Sequence, residues 1–205
     1  MNTRDNPGVT GQTDGLGSGS GALAALLKSA GRASGAPPVH NWDPPYCGNI
    51  GLKIRADGVW LYQGSPVARI ELVKLFASIL RKDPDGKTYL VTPAEKVDCD
   101  VEDAHFLAVE MAVAGAGISQ SLTFRTNVDD VVTADRDHPL HFVRQDPAGG
   151  LKPYILVRGR LLALVTRAVY VDLINLALPR DTQSSALGLW SNGVWWPLES
   201  SDDRR

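Results

Sequence analysis

Large hydrophobic residues are sparse over the first forty positions and regular after them, and that change of pattern marks where the ordered chain is expected to begin. Met1 to Ser20 is rich in Gly, Ser, Thr, Asn and Asp, with too little apolar surface to offset the entropy of ordering. Ala22 to Arg32 predicts one short helix, and Gly35-Ala36-Pro37-Pro38 predicts a linker. The stretch from His40 to Tyr46 reads as an extended arm in which Trp42 and Tyr46 can anchor onto a core. Leu52 and Ile54 then alternate with polar positions, Asp57-Gly58 supplies a hairpin turn, and Val59 to Gln63 returns as a strand. Ser65-Pro66 carries the signature of a helix start, and Ile70, Val73, Ala77 and Leu80 recur at helical spacing. With Arg81 and Lys82 suited to the negative end of the helix dipole, the pattern predicts a helix over 66–81.

Further along, Tyr89–Thr92, Val97–Val101, Phe106–Val113, Ser119–Thr126 and His141–Arg144 read as strands separated by turn-forming residues. Tyr154–Val157 and Leu161–Val165 flank Arg158-Gly159 as a hairpin, and Thr166 then opens a helix over 167–178. Arg69, Val73, Leu75 and Leu80 align at identical spacing with Arg167, Val171, Leu173 and Leu178, so a hairpin-then-helix unit recurs. A final hairpin, Leu187–Trp190 and Val194–Trp196, turns on Asn192-Gly193.

These elements predict an α+β protein of two domains related by duplication of the hairpin-helix unit. The expected divisions are a disordered tail over 1–37, an N-terminal α+β domain over 38–103, a β-rich C-terminal domain with one helix over 104–199, and a second tail over 200–205. A chain of 205 residues is long enough for this without covalent staples.

A formal net charge of −2 offers no basic excess for nonspecific nucleic-acid binding. Cys47 and Cys99 are far apart and form no Cys-x-x-Cys pair, which suits a reducing cytoplasm better than a zinc site or a disulfide scaffold. The longest apolar stretch, Ala104 to Ala114, is interrupted by Glu110 and falls short of the roughly 20 residues a membrane span requires. The N-terminus has neither a basic start nor a cleavage site of the secretory kind.

The chemically densest segment is Phe124 to Asp130. There Arg125 can grip phosphate through a bidentate fork, Thr126 and Asn127 can add directional hydrogen bonds, and Asp129 can accept from sugar hydroxyls. The competing reading is a turn capped by these polar groups, with Arg125 paired to an acid. Lys96 and Arg69 are the next candidates to complement an anionic ligand, against exposed ion pairs as the alternative. Trp60 and Tyr62 share one strand face and suit a core better than a stacking platform.

Gly17 to Ala22 fits a dinucleotide fingerprint, but no strand precedes it and it reads as a linker. His138 and His141, near Asp135 and Asp137, are of metal-binding type, yet Pro139 separates them and a surface loop is the better reading. Asp98 to Asp103 alternates acids with small apolar residues, as a half-buried strand does. Gly-x-Ser-x-Gly, the phosphate-binding Gly-x-x-x-x-Gly-Lys-Ser/Thr loop and His-Glu-x-x-His are all missing from the sequence. No catalytic residue, metal site or cofactor is therefore assigned.

In order, Cys47-Gly48, Asp57-Gly58-x-Trp60, Tyr62-x-Gly64-Ser65-Pro66, Thr92-Pro93-x-Glu95-Lys96, Glu102-Asp103 and Phe124 to Asp130 resemble a bacterial domain-of-unknown-function family, number 1285. The resemblance runs from about Pro38 to Pro197, with Asn49 and His105 standing where the pattern has Asp and Pro. It implies two domains made by duplication, a C-terminal domain similar to pleckstrin-homology folds, and a role in signalling with a nucleotide-like ligand at the domain interface. The leading expectation is thus a non-catalytic ligand-binding or signalling protein. A protein-interaction module using a sheet edge or the aromatic hairpin Trp190–Trp196 is the alternative, and an enzyme without a recognisable motif is the third.

Overall fold

Period-two burial along Leu52–Ile54 (β1) and Trp60–Tyr62 (β2) sends Leu52, Ile54 and Trp60 inward, and the Asp57-Gly58 turn closes the pair, with Gly58 at φ 80°. Ser65–Pro66 (β3) adds a short edge strand beside β2. After the helix Ile70–Ser78 (α1) come Leu80–Lys82 (β4), Thr88–Val91 (β5) and Lys96–Val101 (β6). The sheet runs β3-β2-β1-β6-β5-β4, with β1 and β6 parallel. This computed structural model describes residues 37–145, 150–181 and 185–199, so the expected tail with its helix over 22–32, and the tail over 200–205, lie outside the described residues.

A second six-stranded sheet holds Phe106–Ala114 (β7), Ser121–Thr126 (β8), Val131–Thr133 (β9), Leu140–Arg144 (β10), Leu151–Arg158 (β11) and Leu161–Val165 (β12). Its order is β10-β11-β12-β7-β8-β9, with β7 and β12 parallel. Each sheet is therefore two three-stranded meanders joined through its first and last strands. The helix Arg167–Asn175 (α2) leaves the last strand of the second sheet, whereas α1 lies between the third and fourth strands of the first. A small sheet of Leu178–Pro179 (β13), Leu187–Ser191 (β14) and Val194–Pro197 (β15) completes the described chain.

Both expected helices shorten because sheet pairing captures their ends. Ser65 and Pro66 pair with Tyr62 and Leu61 rather than opening a helix, and α1 begins after Arg69. Leu80, at helical spacing from Ile70 to Ala77, pairs with Leu90 as a strand and is just as buried there, so periodicity could not separate the two states. Likewise the helix expected over 167–178 stops at Asn175, and Leu178 pairs with Gly188. With β3, β4, β9 and β13 added, the described residues are 15% helix and 44% strand, which makes the protein mostly β.

The two aligned helical sets also meet different surroundings. Val73 is buried and Val171 is 55% exposed, while Leu173 is fully buried and Leu75 only partly. Buried side chains of both large sheets form one continuous core, in which Trp60 stacks on Phe76 with ring centroids 6.0 Å apart. Trp60 is thus a core residue.

Candidate functional site

The Phe124–Asp130 segment spends its polar groups on its own turn and on neighbouring strands. Thr126 is fully buried, and its hydroxyl accepts from the Asp130 amide at 3.0 Å and from the Val128 amide at 3.3 Å. Asn127 Oδ1 accepts from the Leu107 amide at 3.0 Å, and its own amide donates to the Leu107 carbonyl at 2.8 Å. Arg125 binds both oxygens of Glu110 at 2.7 Å and reaches Asp129 at 2.7 Å. Asp129, held at φ 67°, passes the chain of charge to Lys74 on α1 at 2.7 Å. Hydrogen bonds from Lys74 and then Arg125 hold the Asp129 carboxyl below its ordinary range, and Asp129 in turn raises Lys74.

Lys96 pairs with Asp83 at 3.2 Å and lies 4.5 Å from the Tyr89 ring centroid, a cation-π contact. Burial pushes the Asp83 carboxyl up, but hydrogen bonds from Arg81 and Lys96 outweigh it and the net shift is downward. Arg69 is exposed at the N-terminal boundary of α1. None of these six candidates lines a large concavity found among the described residues.

That concavity is a groove of about 900 Å³ between the two large sheets. One wall is the arm from Pro37 to Asp43 with the end of α1 and β4; the other is the β8–β9 turn and the β11–β12 hairpin. Arg81 fixes the arm, donating from Nη1 to the Val39 carbonyl at 2.8 Å and the Trp42 carbonyl at 2.6 Å while its Nε bonds Asp83 at 2.6 Å. Across the groove, Arg158 pairs with Asp130, donates to the Ala77 carbonyl at 2.7 Å, and lies 5.0 Å from the Phe106 ring centroid. Gly159, at φ 54°, opens the two-residue turn that sets Arg160 beside the same space.

Behind the groove, His105 joins the two sheets. Its Nδ1 accepts from the Leu162 amide at 3.1 Å, so the proton sits on Nε2, which donates to Thr88 Oγ1 at 3.0 Å. Burial, followed by repulsion from Lys82, pushes its pKa down to about 4, and Arg158 adds to the effect.

The remaining candidates stay with their own folds. His138 bonds Asp135 at 3.1 Å, and no group of three or more metal-ligating side chains is found among the described residues. The pattern over 17–22 lies outside the described residues. In the terminal hairpin, Trp195 lies over Gly188, where a Cβ would fall 2.5 Å from the indole, and packs against Trp190 with ring centroids 5.2 Å apart. Among the described residues no helix is long and apolar enough to cross a membrane.

Family models fit both halves of the chain. The N-terminal domain of the DUF1285 domain of unknown function matches residues 37–104, and the C-terminal domain of the same family matches 105–198. The chain belongs to the DUF1285 family. A solved DUF1285 family protein from Silicibacter pomeroyi DSS-3 is 41% identical, with a TM-score of 0.77 over 86% of this chain and 96% of that one. Another from Shewanella baltica OS155 is 29% identical, covering 62% of this chain and 91% of that one at a TM-score of 0.48. No curated protein matches the chain. The groove draws its walls from both DUF1285 domains.

Sequence reasoning gave the basic residues that line this space no ligand role. Lys82 read as a helix-end charge and Arg158-Gly159 as a plain turn, and Arg160 drew no reading. Two arginines flanking the turn glycine were the available signal.

Proposed function

We propose that the protein is a non-catalytic binding or signalling protein of the cytoplasm that takes a polar small molecule in the groove between its two domains. The groove itself carries this reading: it is large enough for a metabolite, mixes apolar walls with a few convergent polar groups, and lies at a domain junction, where ligand sites concentrate. Trp42 on one wall offers a ring face, and the basic side chains of the other offer anion contacts, which favours a nucleotide-like ligand. The shared order of the two sheets supports an origin by duplication. Two meanders followed by a helix in the C-terminal domain support its likeness to pleckstrin-homology folds.

Thermal shift against nucleoside monophosphates, sugar phosphates and their uncharged parents tests the reading. A bound ligand stabilises the fold according to its concentration over its dissociation constant. Stabilisation by a panel member that Trp42→Ala abolishes supports it; a silent panel, or shifts indifferent to Trp42, contradict it.

A second reading, a protein-interaction module, is favoured by the β7–β8 hairpin tip, where Val113 and Ile118 are 44% and 66% exposed. Partner capture that Ile118→Asp abolishes without unfolding separates it from small-molecule binding.

A further inference from the structure

Five lysine and arginine side chains line the groove beside His40, and three of the five are already occupied within the protein. Lys74 is bound to Asp129, Arg81 to Asp83 and two carbonyls, and Arg158 to Asp130 and the Ala77 carbonyl. Lys82 and Arg160 have no carboxylate partner among the described residues. Lys82 is only partly exposed, so part of its hydration is lost without an ion pair to replace it. Its unneutralised field is felt at His105, where it adds to burial in disfavouring the imidazolium.

We propose that Lys82 and Arg160 form a grip for the phosphate of a phosphorylated small molecule, each domain supplying one cation. Lys82 ends β4 in the first sheet, and Arg160 immediately precedes β12 in the second; β4 and β12 are neighbours across the junction. The acids along the groove do not cancel this pair: Asp83 is held by Arg81 and Lys96, and Asp130 by Arg158, leaving Asp43 as the remaining carboxylate. A carboxylate ligand would be satisfied by the Arg160 fork alone. A phosphate monoester carries more charge and a third terminal oxygen, so it can accept from a guanidinium and an ammonium together. Such a ligand would bridge the two domains and relieve the repulsion between the cations.

This inference rests on the groove reading, and the experiment separates the two. Adenosine 5′-monophosphate, inorganic phosphate and adenosine are titrated calorimetrically into the full chain, with Lys82→Gln, Arg160→Gln, Lys82→Arg and a remote Lys87→Gln as variants. The grip predicts binding of the monophosphate and of phosphate, adenosine at least tenfold weaker than the monophosphate, and at least tenfold losses in the Lys82→Gln and Arg160→Gln proteins. Lys82→Arg and Lys87→Gln are predicted to retain affinity. Neither Lys82 nor Arg160 makes an ion pair among the described residues, so unchanged melting temperatures are expected of their Gln variants. Monophosphate binding unchanged in both Gln variants, or adenosine binding as tightly as the monophosphate, overturns the grip; if Trp42→Ala then abolishes binding, the groove reading survives. No binding of the three probes, with the wider panel also silent, overturns both.

Discussion

Arg158 on the last long hairpin of the second sheet donates to the carbonyl of Ala77 at 2.7 Å, closing the C-terminal end of α1 with a side chain from the other domain. Carbonyls at a helix end have no intrahelical partner, and a guanidinium is a strong substitute. The same side chain pairs with Asp130 and lies over Phe106, so one residue ties three segments together. Arg158→Met is expected to lower stability by about 2 kcal/mol, in line with the loss of a charged hydrogen bond and a half-screened ion pair. Urea unfolding measures it, with Arg125→Met as the comparison. The partners of Arg125 are solvated, so its variant should move the midpoint less.

The buried imidazole of His105 gives the fold a pH dependence of known sign. Its folded pKa of about 4 is below the 6.5 of an ordinary imidazole, so the unfolded chain takes up the proton first. The associated stability is complete above about pH 6.5 and is lost as pH falls through that value toward 4. The full difference amounts to about 3 kcal/mol. Denaturation midpoints at pH 7.5 and 4.5 in wild type and His105→Gln are the check: the slope between them should flatten in the variant.

Gly58 sits where the first hairpin turn meets the second sheet. An added Cβ would fall 2.8 Å from Leu107 Cδ1 and 3.2 Å from Asn127 Nδ2, and φ is 80°. Gly58→Ala is therefore expected to destabilise by roughly 1–3 kcal/mol through strain and crowding. A melting temperature equal to wild type would contradict the close approach of the two sheets at this point.

Local chemistry made much of this fold legible. Asn192-Gly193 takes positive φ at both positions, as its hairpin turn demands, and the alternation in β6, β8 and β12 matches their burial. What stayed hidden depended on contacts distant in sequence. Leu80 is apolar at a helical interval, and only its pairing with Leu90 makes it a strand residue. The site was displaced for the same reason. Arg125 read equally as a phosphate grip or as the partner of an acid, and only the pairing of β7 with β8 brings Glu110, fifteen residues earlier, to its donors beside Asp129, while Lys82 and Arg160 acquired meaning only when β4 and β12 came together.

Mapping amide and indole NMR shifts during titration with adenosine 5′-monophosphate decides whether the groove between the domains is the binding site. Binding in the groove should produce saturable changes at the Trp42 indole, Lys82, Gly159 and Arg160. Changes confined to Phe124–Asp130 or to Trp190–Trp196, or no changes at all, would contradict it.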